Sequence, residues 1–97
     1  MMVNGEIYDK TAASLKALGH PTRLEILSIL ATVKGPGLSV KNIQERLKVG
    51  QPETSKHLIV MRKNKILLMK KRDGFSLYRI NRELNYLQSL IKFLNRV

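Results

Sequence analysis

Thirteen residues, Gln51 to Lys63, hold the densest set of groups able to do chemistry: the Gln51 amide, the Glu53 carboxylate, the Thr54 and Ser55 hydroxyls, the His57 imidazole, and the cations Lys56, Arg62 and Lys63. They suit recognition better than reaction. Amides pair with adenine edges, carboxylates accept from cytosine, and lysine and arginine serve guanine or phosphate. Covalent chemistry has little to start from. The chain has no cysteine, two scattered histidines, no carboxylate pair and no glycine-rich phosphate loop, so no catalytic residue is assigned and an enzyme is not expected.

At 3.6 residues per turn, Thr54, Leu58 and Met61 share one face. The opposite face carries Pro52, Glu53, Lys56, Ile59, Val60 and Lys63, with Ser55 and His57 on the flanks. Pro52 suits a first turn, where its missing N–H would have no partner. The expected element is a short helix with a buried stripe and a basic outer side, a geometry that can present its first residues to a DNA major groove. Gln51, Glu53, Ser55 and Lys56 are the candidates for base readout, and His57, Arg62 and Lys63 lie on the same helix. Two residues keep a second reading. His57 can contact DNA or pack at the helix edge, and Glu53 can offset Lys56 or complement the helix N-terminus.

The other elements must position that helix. Residues 7–18 show helical spacing through Tyr8, Leu15 and Leu18, with Met1 to Gly5 frayed before it and Gly19 as a left-handed stop. His20-Pro21-Thr22 opens a second helix, with His20 as a structural cap. Leu24, Leu27 and Ala31, flanked by Ile26, Leu30 and Val33, make it apolar over a wide arc and so the central one. Lys34 to Gly37 is a loop. Ser39 caps a third helix running to about Val49, and Gly50 ends it, so residues 39–63 form a helix-turn-helix. Residues 66–80 read as two strands around Asp73-Gly74, a strong hairpin signal. A last helix, residues 82–96 capped by Asn81, has Leu84, Leu87, Ile91 and Leu94 at heptad spacing, with Tyr86, Leu90, Phe93 and Val97 on a second flank. A helix apolar on two flanks needs two partners, its own domain and a second copy of the chain. The expected fold is mostly α, a single winged helix-turn-helix domain over residues 1–97 with five helices and a two-stranded wing between the fourth and last.

Charge narrows the partner. The 97 residues carry 18 Lys+Arg against 7 Asp+Glu, a net +11, which favours a polyanion. Ten of those cations and only Glu45 and Glu53 in opposition lie between Lys41 and Arg72, so this third of the chain holds +8. Lys41, Lys70, Lys71, Arg72 and Arg79 are the candidates for backbone and wing contacts, which neutralise phosphates and release counterions. The plainer alternative is a solvated basic surface that only confers solubility. No apolar run approaches the roughly 20 residues of a membrane span, and the first residues lack a signal-peptide pattern. Without cysteine there is no disulfide and no thiolate metal site. A cytoplasmic, nucleoid-associated protein with no membrane partner is expected.

Three motifs in order then carry a family resemblance. Leu15 to Leu27 (LKALGHPTRLEIL), Gln51 to Leu58 with its Ser-x-His-Leu ending, and Arg72 to Ile80 resemble the opening, recognition-helix and wing signatures of the ArsR/SmtB transcriptional repressors. The match runs from about Ala12 to Val97. It implies a homodimer joined through its first and last helices, with Tyr8, Leu15, Leu84, Leu87, Ile91 and Leu94 as the interface, blocking transcription from an inverted repeat in double-stranded DNA. The departures bear on regulation. Ser39 and Lys41 stand where metal-sensing members have thiolates, and residues 82–97 offer only Glu83 as an acidic ligand. The chain therefore resembles the subset without metal ligands, and neither metal nor other cofactor is expected. Thr54 departs too, since the family generally has an aliphatic residue there. A non-specific architectural DNA-binding protein and a winged-helix RNA or protein docking module remain as alternatives.

Overall fold

The computed structural model describes residues 4–96. In chain order it contains α1 (Asn4–Leu18), α2 (Pro21–Ala31), β1 (Leu38–Ser39), α3 (Val40–Leu47), α4 (Gln51–Lys63), β2 (Leu67–Arg72), β3 (Phe75–Ile80) and α5 (Tyr86–Leu94). The winged helix-turn-helix expectation holds. The central helix is α2, which touches α1, α3, α4, α5 and β3. Its Ile26, Leu27 and Leu30 are buried in one core with Ile43, Leu58, Met61, Ile66, Leu67, Ile80 and Leu87. Each such side chain contributes about 1.5–3 kcal/mol by leaving water.

Local chemistry sets the ends of these helices. Extended backbone at His20 (φ −144°, ψ 129°) makes it the cap of α2, with Nδ1 accepting the Thr22 N–H at 3.1 Å and Pro21 in the first turn. Ser39 caps α3 through the Asn42 N–H at 3.2 Å. Other boundaries differ from expectation. The first helix begins by Asn4, so Asn4 and Gly5, expected to be frayed, are helical, and the rest of that segment, residues 1–3, falls outside the described residues. Gly19 is not left-handed; its N–H closes on the Lys16 carbonyl instead. The third helix stops at Leu47 because Lys48, not Gly50, takes the left-handed position (φ 62°), and Gly50 becomes the cap of α4.

The last helix is shorter than its apolar pattern, and Val97 lies outside the described residues. Asn81 is buried and binds both ways: its amide donates to the Lys65 carbonyl at 2.8 Å, and its Oδ1 accepts the Glu83 N–H at 3.1 Å. That turn occupies residues 82–85, so the helix starts at Tyr86 rather than Arg82 and ends at Leu94. The heptad pattern also divides differently. Leu87 and Ile91 are buried in the protein's own core, Leu84 and Leu94 are half-buried, and Phe93 is 65% exposed.

The wing gains a strand. The sheet runs β1-β3-β2, all antiparallel, with Leu38 opposite Tyr78 and Ser39 opposite Leu77 on one side of β3. On the other side Leu67 pairs with Ile80 and Arg72 with Phe75, closed by a two-residue turn with positive φ at Asp73 (51°) and Gly74 (83°). Two residues of β1 carry no readable period, but the preceding Gly37 does leave a trace. Its φ is 109°, and a Cβ there would drive into the Tyr78 carbonyl, so only glycine lets β1 approach β3 this closely. Gly37→Ala should therefore lower the urea midpoint by a stability loss of about 2–4 kcal/mol. Gly35→Ala, with φ 82° but open space around its Cβ, should lose about 1–2 kcal/mol. Equal losses would rule out the close approach.

Candidate nucleic-acid interface

The inner face of α4 is held by four buried residues, Thr54, His57, Leu58 and Met61. Thr54, polar at a core position, donates its hydroxyl to the Gly50 carbonyl one turn back at 3.0 Å, so its buried hydroxyl is satisfied. Turning that stripe inward leaves Gln51, Pro52, Glu53, Lys56, Ile59, Arg62 and Lys63 exposed, with Ser55 half-buried. The helix-turn-helix pair, α3 and α4, is joined through the left-handed Lys48. Acidic Glu53 lies in the first turn and Arg62 and Lys63 in the last, as the helix dipole favours.

Of the other sequence candidates, Lys41 lies by the start of this helix and Arg79 by its end. Lys41, in the first turn of α3, lines a groove of about 530 Å³ with Gln51 and the wing residues Gly74, Phe75 and Ser76. Lys70, Lys71 and Arg72 stand exposed along β2 towards the tip. Arg79 does not join them. Opposite Leu68 in the sheet, it is half-buried at the base of the wing, beside a cleft it shares with Arg62 and Lys65. Among the described residues no carboxylate lies within ion-pairing distance of Lys56, Arg62, Lys63, Lys70, Lys71 or Arg72. Those charges are free for a polyanion.

His57 is placed inward, on the packing side of the two readings. It is only 7% exposed, its Nδ1 accepts from Arg23 Nε at 3.1 Å, and its ring lies 4.4 Å from that of His20. Arg23 also donates through Nη1 to the Ala17 carbonyl at 3.0 Å, so one guanidinium ties the end of α1 and the start of α2 to α4. Spacing could not have revealed Arg23, since its partner is 34 residues away. Two exposed apolar residues also stand on this surface, where residue type gives no signal of a role: Ile59 on the outer face of α4 (49%) and Phe75 at the wing tip (62%). Among the described residues, no group of three or more His, Cys, Asp or Glu is arranged to hold a metal.

Burial, then the positive charge of His20 and Arg23, lowers the His57 pKa from 6.5, against a smaller raising effect of Glu53, whose Oε1 is 3.9 Å from Nε2. The folded protein thus resists protonating His57 while the unfolded chain accepts the proton, so stability is lost as pH falls below about 6.5 and is unaffected above it. Thermal unfolding between pH 7.5 and 5.5 should show the melting temperature falling with acid in the wild type, and falling less in His57→Gln. Parallel curves would mean that His57 is not the group responsible.

A helix-turn-helix domain family model matches residues 18–69, more than half of the chain. The chain is 39% identical over 75 residues to an uncharacterized HTH-type transcriptional regulator of Methanocaldococcus jannaschii, MJ1325, covering 77% of this chain and 82% of that protein. Its structure is similar to that of the transcriptional repressor PagR of Bacillus anthracis, with TM-score 0.80 and 31% identity over 94% of this chain and 99% of that one. A homodimeric winged helix-turn-helix DNA-binding domain from Mycobacterium bovis, Mb0332, described as a possible ArsR-family regulator, shares the fold at TM-score 0.80 and 20% identity, over 98% and 88% of the two chains. No described helix is long and apolar enough to cross a membrane. This chain belongs to the helix-turn-helix transcriptional regulators, and its family and winged-helix fold are those of DNA-binding regulators.

Proposed function

We propose that the protein is a sequence-specific repressor that binds an inverted-repeat operator as a homodimer, in the cytoplasm on the nucleoid, without metal control through the usual family sites. The observation that carries this reading is the outer face of α4, where unpaired cations stand among groups able to discriminate bases, Gln51, Glu53 and Ser55. A protein that merely coats DNA needs the cations alone. In the proposed complex α4 lies in the major groove, Gln51, Glu53, Ser55 and Lys56 meet base edges, and Arg62 and Lys63 meet phosphates. Lys41 and the wing cations Lys70, Lys71 and Arg72 hold the flanking backbone, with Arg79 supporting the base of the wing. His57 positions the helix instead of contacting DNA.

Exposure supports a dimer surface on α1 and α5. Leu87 and Ile91 face inward and serve the fold, whereas Tyr8 (71% exposed), Leu15 (53%) and Ile7 (44%) on α1 and Phe93 (65%) on α5 are apolar and turned outward. Both helices pack on α2. Repression and homodimerisation are the properties described for PagR and Mb0332 respectively. Pairing through α1 and α5 would set two recognition helices about one DNA turn apart, roughly 34–36 Å.

Two experiments test this reading. Against a selected operator and a scrambled duplex, Gln51→Ala or Lys56→Ala should narrow the preference between them, each lost bidentate base contact removing about 1–3 kcal/mol of discrimination. Lys71→Ala should weaken both duplexes alike, and equal losses for all three variants would end the readout assignment. In sedimentation equilibrium, Tyr8→Asp combined with Phe93→Asp should give the monomer mass with the fold intact by circular dichroism. A dimer that survives would place the interface elsewhere.

A further inference from the structure

We infer that Ile59 reads a thymine, packing its branched side chain against the 5-methyl group in the major groove. The inference rests on the proposal that α4 occupies that groove, and adds the base class at its centre. Ile59 is 49% exposed, three residues after Lys56, four before Lys63 and seven after Pro52, so all four share the outer face of α4. A single exposed isoleucine is ordinary on a protein surface. Its surroundings make this one informative. Lys56 and Lys63, one turn to either side, are exposed and have no carboxylate partner among the described residues, so the ligand that comes to this face is anionic.

An isoleucine set between a base-reading and a phosphate-seeking lysine cannot itself pair with phosphate, and it would strip water from a polar base edge without replacing the lost hydrogen bonds. Within a duplex major groove, the base-edge feature that gains from apolar contact is the thymine methyl. Ile59 is also suited to the task mechanically. A β-branched side chain in a helix holds one dominant χ1 rotamer, so little freedom is lost on contact. Beside it, Pro52 and Val60 line the same cleft, which runs between α4 and the start of α2 at His20 and Arg23, giving the isoleucine an apolar flank.

The test begins by selecting duplexes from a randomised library with the wild-type protein. Each thymine of the selected site is then replaced by uracil, which keeps every hydrogen-bonding group and lacks only the methyl. At one thymine in each half-site, uracil should weaken wild-type binding about threefold to fivefold, the worth of one buried methyl group. Ile59→Ser, confirmed folded by circular dichroism, should bind the thymine and uracil forms of that position alike while still rejecting exchanges at the other base pairs. Wild-type indifference to uracil throughout a well-defined site, or an Ile59→Ser protein that keeps the penalty, overturns the thymine contact and leaves the specific-regulator reading standing. A library that yields no consensus overturns both.

Discussion

A recognition helix has to be held rigidly from one side while nothing touches the other. In this protein that constraint falls on the buried stripe of α4, Thr54, His57, Leu58 and Met61. Leu58 and Met61 are fully buried, and truncating either to alanine would cost about 2–5 kcal/mol, a large part of the stability of a small domain. The two polar members bring orientation. Thr54 is satisfied within the helix, and His57 is held by Arg23, whose other nitrogen reaches the last turn of α1. Arg23 therefore links a helix with an exposed apolar stripe to the helix with an exposed basic face. If α1 forms part of a dimer seam, the spacing of two recognition helices depends on that guanidinium as much as on the apolar core.

The wing is anchored by the same economy of contacts. β3 places Tyr78 and Ile80 in the core, β1 braces its outer edge where Gly37 permits, and β2 runs from buried Leu67 to exposed Lys70, Lys71 and Arg72. Apolar residues thus root the hairpin and cations fill its free end. The groove between the wing tip and the start of α4 brings Lys41 and Gln51 alongside Phe75, a charged and a polar contact drawn from separate elements.

Much of this was legible because it depended on short-range chemistry. The α4 pattern, the His20-Pro21 start, the Ser39 cap and the Asp73-Gly74 turn each involve residues within a few positions of one another, and the motif order added the family. What escaped was long-range or against type. Lys48 and Lys65 adopt positive φ, a conformation costing an ordinary side chain about 1–2 kcal/mol, so nothing in a lysine announces it. Asn81 looked like a helix cap and is one of a turn, because its amide donates to the Lys65 carbonyl sixteen residues back, between α4 and β2. The heptad of the last helix could not say which flank faced the protein's own core. His57 lay on a flank of its helix wheel, and only the distant Arg23 and His20 decide that it points inward.

The central claim is that the outer face of α4 confers sequence preference on top of the affinity supplied by the basic surface. The most direct measurement is a titration of the protein, with chelator present, against the duplex upstream of its own gene and against a scrambled duplex, each at two salt concentrations. Phosphate contacts weaken steeply with salt whatever the sequence, whereas base contacts preserve the ratio between the two duplexes. A preference for the upstream duplex that persists at the higher salt is the predicted result. Equal binding to both duplexes, collapsing together as salt rises, would contradict it and leave a protein that coats DNA by charge alone.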